Sequence, residues 1–150
     1  MRIINGDLFD CPSSKDAICV TTNAVVKSNG CAVMGAGIAK IFALKFPDLP
    51  EILAQKLQGG NHAYYLKDVV LPDKSTYAIL SFPTKNDWRN PSDLQLILRS
   101  CNELIAIVEA FNINNCYIPL PGCGYGQLDP DEVIPAISNV LNDKFVLVLH

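Results

Sequence analysis

Residues 16–22, D-A-I-C-V-T-T, form a continuous β-prone run without the apolar–polar alternation of a half-exposed strand. Such a run predicts a strand buried on both faces, which needs a covering layer on either side of its sheet. After it comes a glycine-rich stretch, Asn29–Lys40, read N-G-C-A-V-M-G-A-G-I-A-K. Glycines at 30, 35 and 37 let the backbone approach a ligand closely. A helix predicted from about residue 35 to 46, with Ile38, Ile41, Phe42 and Phe46 as its apolar stripe and Pro47 ending it, would aim unpaired N–H groups and its positive dipole end at the same place. That combination suits an anion, a phosphate above all.

The rest of the chain keeps the alternation. A short strand is predicted at 2–4. A second helix is predicted at 49–58, with Asp48 and Glu51 at capping-box spacing and Gly59-Gly60 closing it. Strands at 63–71 and 76–82 flank the turn Pro72-Asp73-Lys74-Ser75. A polar loop, Pro83–Pro91, leads to the longest helix, 92–111, where Ser92 and Gln95 read as a capping box and Leu94, Ile97, Leu98, Cys101, Leu104, Ile105 and Val108 recur with a 3.6 period. A strand at 115–120, a second glycine loop (Pro121–Gln127), a helix at 130–142 with Pro130 at its first position and a strand at 144–149 complete the chain. The class is α/β, with a mixed or mostly parallel sheet covered on both faces and one domain over residues 1–150.

Composition narrows the function classes. Apolar residues make up 49% of the chain and charged ones 18%, enough for a full core. No apolar run reaches the roughly 18 residues of a membrane span, and the N-terminus lacks a signal-peptide pattern, so a cytoplasmic protein without membrane partners is expected. The net charge of −3 and the lack of any Lys/Arg run exclude non-specific duplex binding, but they are compatible with a small anion held by backbone amides. The six cysteines form no Cys-x-x-Cys pair and lie far from His62 and His150, so no metal is expected. Four of the six sit in apolar surroundings and read as reduced, buried thiols.

The second loop, P-G-C-G-Y-G at 121–126, leaves a predicted buried strand as the first loop does. Ligands of open α/β sheets bind outside the carboxyl ends of the strands, so two such loops can grip one pyrophosphate from opposite sides. Familiar motifs do not fit. The first loop lacks the Gly-Lys-Ser/Thr of a P-loop and is too long for a dinucleotide fingerprint. No Gly-x-Ser-x-Gly or His-Glu-x-x-His is present.

Taken in order, Gly6-Asp7-Leu8, Asn23, Val33-Met34-Gly35-Ala36-Gly37-Ile38-Ala39 and Gly122–Gly126 resemble the macrodomain family, the ADP-ribose-binding fold, across essentially the whole chain. The stretches Met34–Ala39 and F-P-T-K-x-x-W-R-x-P-S at 82–92 are most similar to one branch. That branch holds the DNA ADP-ribosyl glycohydrolase antitoxin of the Dar system and the terminal ADP-ribose protein glycohydrolase. The resemblance implies a three-layer α/β/α fold and ADP-ribose as ligand, with no cofactor. It also implies an ADP-ribosylated nucleic acid or protein as substrate and a cognate ADP-ribosyltransferase as partner.

It further implies site residues. Asp7 would accept from the adenine amino group, with the backbone at Leu8 beside it; from its own residues alone Asp7 reads first as a strand-end turn former. Asn23 would face the distal ribose as a catalytic residue, or cap the strand end. Asn29, Val33, Met34, Gly35, Gly37, Ile38 and Thr84 would line the ligand from one side. Gly122, Cys123, Gly124, Tyr125 and Gly126 would approach from the other, with Tyr125 on the distal ribose. Gly126 stands where protein-directed members carry an aspartate, and Asp129 reads as a helix cap instead. The last strand, F-V-L-V-L-H at 145–150, shows no adenine-stacking aromatic.

Lys85 matches the branch's key catalytic lysine. Two roles are open: attack on the anomeric carbon, or a cation and proton donor that orients the ribose and helps the leaving group depart. Without an acid at 126, the second is favoured. Cys123 has no nearby histidine or cation in sequence to activate it, and Trp88 and Arg89 either stack on a nucleobase or pack the loop. The expected function is removal of ADP-ribose from DNA, or from acidic side chains of protein, through Lys85. The alternatives are a non-catalytic ADP-ribose reader and a hydrolase of phosphate or acetyl esters of ADP-ribose.

Overall fold

The structure, a computed structural model, describes residues 1–150. Six strands form one sheet: β1 (Arg2–Asn5), β2 (Ala17–Thr22), β3 (Tyr65–Val70), β4 (Thr76–Pro83), β5 (Cys116–Pro119) and β6 (Phe145–Leu149). Their spatial order is β1-β6-β5-β2-β4-β3. All neighbours are parallel except β3 and β4, a hairpin about the Pro72–Ser75 turn. Four helices cover the sheet: α1 (Gly37–Lys45), α2 (Leu49–Leu57), α3 (Leu94–Ala110) and α4 (Pro130–Ser138).

The predicted double-sided strand is central. β2 lies between β5 and β4, and its side chains alternate between two cores. Ala17 and Cys19 pack with Leu80, Phe82 and Ile118 beneath Ile97, Cys101 and Leu104 of α3 and Val133 and Ile137 of α4. Ile18 and Val20 pack with Ile79 and Val148 beneath Phe42 of α1 and Leu49 and Leu53 of α2. This is a three-layer α/β/α sandwich with a mixed, mostly parallel sheet.

Three expected helix starts differ. α1 begins at Gly37, not Gly35, because Ala36 is extended (φ −146°, ψ 158°) and Gly37 turns the chain through a left-handed φ of +57°. Asp48 makes no cap bond; both of its oxygens accept from Lys67 Nζ, at 3.0 and 2.9 Å. The cap of α3 is Asp93, which accepts from the N–H groups of Gln95 and Leu96, and Ser92 is displaced into the interior. Asp129 does cap α4, accepting from Asp131 N–H at 2.9 Å. All six cysteines are free thiols; three of them, Cys19, Cys101 and Cys116, are buried, with Cys19 and Cys116 Sγ atoms 3.5 Å apart.

Candidate functional site

The carboxyl ends of β2, β4 and β5 open into one cavity of about 940 Å³, the size of an organic ligand site. The first glycine loop and the start of α1 form one wall, and the second glycine loop forms the other. The walls meet where the Tyr125 ring lies over Gly37: a Cβ at Gly37 would sit 3.5 Å from Tyr125 Cδ2. Tyr125 is otherwise 74% exposed, free to pack on a ligand.

The first wall is braced by Asn23. Its Nδ2 donates to Val33 O at 3.1 Å, and its Oδ1 accepts from Val25 N–H at 2.9 Å. The start of α1 has no side-chain cap, so its first N–H groups remain available to an anion. In the second wall Gly122 is required twice over. Its φ is +78°, and a Cβ there would meet Ile97 Cδ1 at 2.7 Å and Leu128 Cδ1 at 2.9 Å. Gly126 is crowded by Ser92: a Cβ at 126 would enter the space of the Ser92 hydroxyl and stand 3.0 Å from the Ser92 Cβ, so a side chain there requires Ser92 to shift.

Lys85 enters from the end of β4. Its Nζ donates to Trp88 O at 3.4 Å and Asn90 O at 3.3 Å, so the loop that follows curls back around its amine. Asp87 stiffens that loop, accepting from the N–H of Arg89 at 2.9 Å and pairing with its guanidinium at 2.6 Å. The Arg89 side chain, hydrogen-bonded to Asp87, holds the carboxyl down at about 2. The guanidinium also lies 5.6 Å from the centre of the exposed Trp88 ring. Lys85 and Arg89 line the cavity and no carboxylate or histidine does, so the site is cationic although the protein carries −3 overall.

Of the residues singled out in the sequence, Asn23, Val33, Met34, Gly35, Gly37, Ile38, Thr84 and Lys85 line this cavity with Gly122, Cys123, Gly124, Tyr125 and Gly126. Asp7, Leu8 and Asn29 do not. Asp7 accepts from Phe9 N–H at 2.9 Å and caps the 3₁₀ turn Leu8–Asp10. The side chain of Leu8 is buried in the α1–α2 core. Asn29 folds back on its own turn, accepting from Cys31 N–H at 3.0 Å. Burial, with Asp129 nearby, raises the pKa of the Cys123 thiol, opposite to what a nucleophile needs.

The cavity also brings in residues to which the sequence assigned no place in the site. Thr22 and Ser92 line it with buried hydroxyls that have no hydrogen-bond partner, and Asn90 supplies a carbonyl to Lys85. Ser92 carried a signal, a serine three residues before Gln95, but the signal named a different role.

No family profile matches the chain. Among curated proteins it is similar to the DNA ADP-ribosyl glycohydrolase of Mycobacterium tuberculosis, 32% identical over 124 residues. That match takes in 80% of this chain and 35% of the relative, so the chain spans about a third of that protein's length. Among solved structures it superposes on the macrodomain of Thermus aquaticus DarG, with a TM-score of 0.77 and 26% identity over 99% of this chain and 97% of that one. The DarTG protein of Thermosipho africanus, solved in complex with ADP-ribose, gives a TM-score of 0.80 at 23% identity, covering 99% of this chain and 42% of that one.

Proposed function

We propose that the chain, which has the macrodomain fold, binds ADP-ribose and acts as an ADP-ribosyl glycohydrolase, with ADP-ribosylated DNA as its substrate. The observation that carries this reading is the position of Lys85 in a cavity walled by two glycine loops and lined by no acid. The uncapped start of α1 and the second loop suit a pyrophosphate, and Tyr125 suits the distal ribose. The Thermosipho relative, which carries ADP-ribose, supports the choice of ligand. An ADP-ribosyltransferase is the class of enzyme that must supply such a substrate.

In this reading the bond between the anomeric carbon and the base breaks, water supplies the hydroxyl that replaces the base, and the water's remaining proton returns to the Lys85 amine once it has protonated the base. Lys85 serves as the cation and proton donor toward the departing base. The nucleophilic alternative needs a base to take a proton from the amine, and the cavity lining holds neither carboxylate nor histidine. Position 126 is a glycine where the protein-directed members carry an aspartate, and an aspartate there would have to displace Ser92. The Trp88–Arg89 pair at the rim offers a flat, cationic face to a nucleobase. Both features favour DNA over protein.

The test is a substrate panel of an ADP-ribosylated thymidine oligonucleotide, a glutamate-modified protein, and the phosphate and acetyl esters of ADP-ribose. Each is incubated with the wild type and Lys85→Ala, and ADP-ribose affinity is measured by calorimetry. Turnover of the oligonucleotide that disappears in Lys85→Ala is the expected result. Full turnover by Lys85→Ala would remove the proposed chemistry. Binding without turnover of any substrate would leave a reader.

A further inference from the structure

The side chain of Lys85 is held by its own loop, but its main chain is held from outside the cavity. Asn61, in the turn between α2 and β3, donates through Nδ2 to Lys85 O at 3.3 Å and to Asn86 Oδ1 at 2.8 Å. Asn61 is itself fixed from two sides. Arg99 of α3 donates to its main-chain carbonyl. One turn along the same helix, Glu103 accepts from Ala63 N–H at 3.0 Å and meets His62 Nδ1 at 2.6 Å. From β4, Ser81 Oγ accepts from Tyr64 N–H at 2.8 Å and donates to His62 O at 3.4 Å. The segment 61–64 is thus tied to both a helix and a strand before it reaches Lys85.

The Asn61 amide can face its two acceptors in one orientation only, with the NH₂ edge forward. Its Oδ1 is then left buried and without a partner. A buried, unsatisfied oxygen is costly, and an apolar residue would fill the space without that penalty. The amide stands where its two donors point at the loop that carries Lys85.

We infer that Asn61 is a positioning residue for Lys85: it anchors the main chain at 85–86 so that the amine stands at a fixed height over the cavity. The inference rests on the reading of Lys85 as the reactive cation. It adds that the segment 61–64 and its helix α3 set the geometry of that cation. Asn61 makes no hydrogen bond to either glycine loop and reaches the cavity lining through Lys85 alone, so its effect falls on turnover and leaves affinity in place.

The experiment compares Asn61→Ala, Asn61→Asp and Lys85→Ala in the full chain. It reads kcat on the ADP-ribosylated thymidine oligonucleotide, Kd for ADP-ribose and the melting temperature. Asn61→Asp keeps the volume but replaces the donor edge with an acceptor. We expect kcat to fall roughly tenfold to a hundredfold in both Asn61 variants, the penalty of misplacing a reacting group by about 1 Å. ADP-ribose Kd is expected to stay within about twofold, since the loss is confined to the transition state. Arg99→Met, an exposed change that frees the Asn61 main chain from α3, moves kcat in the same direction by less and keeps the test open if an Asn61 variant does not fold. Wild-type kcat in Asn61→Asp and Arg99→Met, with Lys85→Ala inactive, would overturn the inference and leave the glycohydrolase reading standing. So would kcat and Kd worsening in parallel with the melting temperature. An active Lys85→Ala would instead sink the reading on which the inference rests.

Discussion

Ser92 and Gly126 fix each other's identity: the Ser92 N–H donates to Gly126 O at 2.9 Å, and the Ser92 hydroxyl fills the volume that a side chain at 126 would need. The backbone bond ties the start of α3 to the second glycine loop, and the steric contact keeps position 126 bare. Gly126→Asp is therefore expected to destabilise the fold by about 1–3 kcal/mol, as overpacking does. Ser92→Gly in the same chain should recover most of that loss, and urea denaturation of the two single variants and the double variant measures the coupling. Equal stability of Gly126→Asp and wild type would mean that the contact yields freely.

The two neighbours at the start of α3 should behave oppositely. Asp93 accepts from Gln95 N–H at 2.9 Å, so Asp93→Ala is expected to cost about 0.5–2 kcal/mol, the usual range for a lost N-cap. Ser92→Ala removes a buried hydroxyl with no partner and gives up no cap bond, so it should be neutral or stabilising. Thermal melts of the two variants check the contrast, and the reverse order would restore the capping role to Ser92.

Cys123 lies in the cavity wall, but its thiol is pushed up by burial and by Asp129. We expect slow alkylation by iodoacetamide at neutral pH, with the rate rising only as the solution is made alkaline past the ordinary thiol range. Cys123→Ala is expected to keep turnover within about threefold of wild type, since the thiol does no chemistry. Rapid inactivation by iodoacetamide at pH 7, reversed by Cys123→Ala, would show the opposite.

The Asp87–Arg89 pair has an acid limit. The Asp87 carboxyl is held at about 2 in the folded chain, below the ordinary value of about 3.9. Its contribution to loop order is therefore complete above about pH 4 and disappears as the pH falls through about 2. Trp88 is the sole tryptophan and carries the Arg89 guanidinium over its ring, so its fluorescence reports the change. The expected titration has its midpoint near 2, and Asp87→Asn abolishes it. A midpoint near 4 that persists in Asp87→Asn would assign the transition to another carboxylate.

What the sequence made legible was local. The run at 16–22 specified a doubly covered strand because its side-chain pattern is independent of the rest of the chain, and both glycine loops stood out by composition alone. Gly122 shows why that worked: its left-handed backbone and its crowding by Ile97 and Leu128 permit no other residue. Partners brought together in space were hidden. Asp48 had the spacing of a cap, but Lys67, nineteen residues away, takes its carboxylate. Ser92 had the same credential but the cap fell to its neighbour Asp93, while the Ser92 N–H went to a glycine thirty-four positions later. Asn61 drew no reading from the sequence, since nothing in its neighbourhood names Lys85. Asp7 and Asn29 missed the cavity for a related reason: a short polar side chain at a turn takes the nearest backbone N–H first.

Asn23 ties both ends of its amide to the first glycine loop, and the Val26–Ala32 bridge closes that loop at its neck. The second loop is closed in turn by Leu128 N–H to Gly122 O at 2.9 Å and Gln127 N–H to Gly124 O at 3.0 Å. Both loops are closed by their own hydrogen bonds before any ligand arrives, which reduces the ordering that binding has to supply. Association should accordingly resemble insertion into a finished mould, with a small entropic penalty and an affinity governed by contacts and not by the ordering of loops.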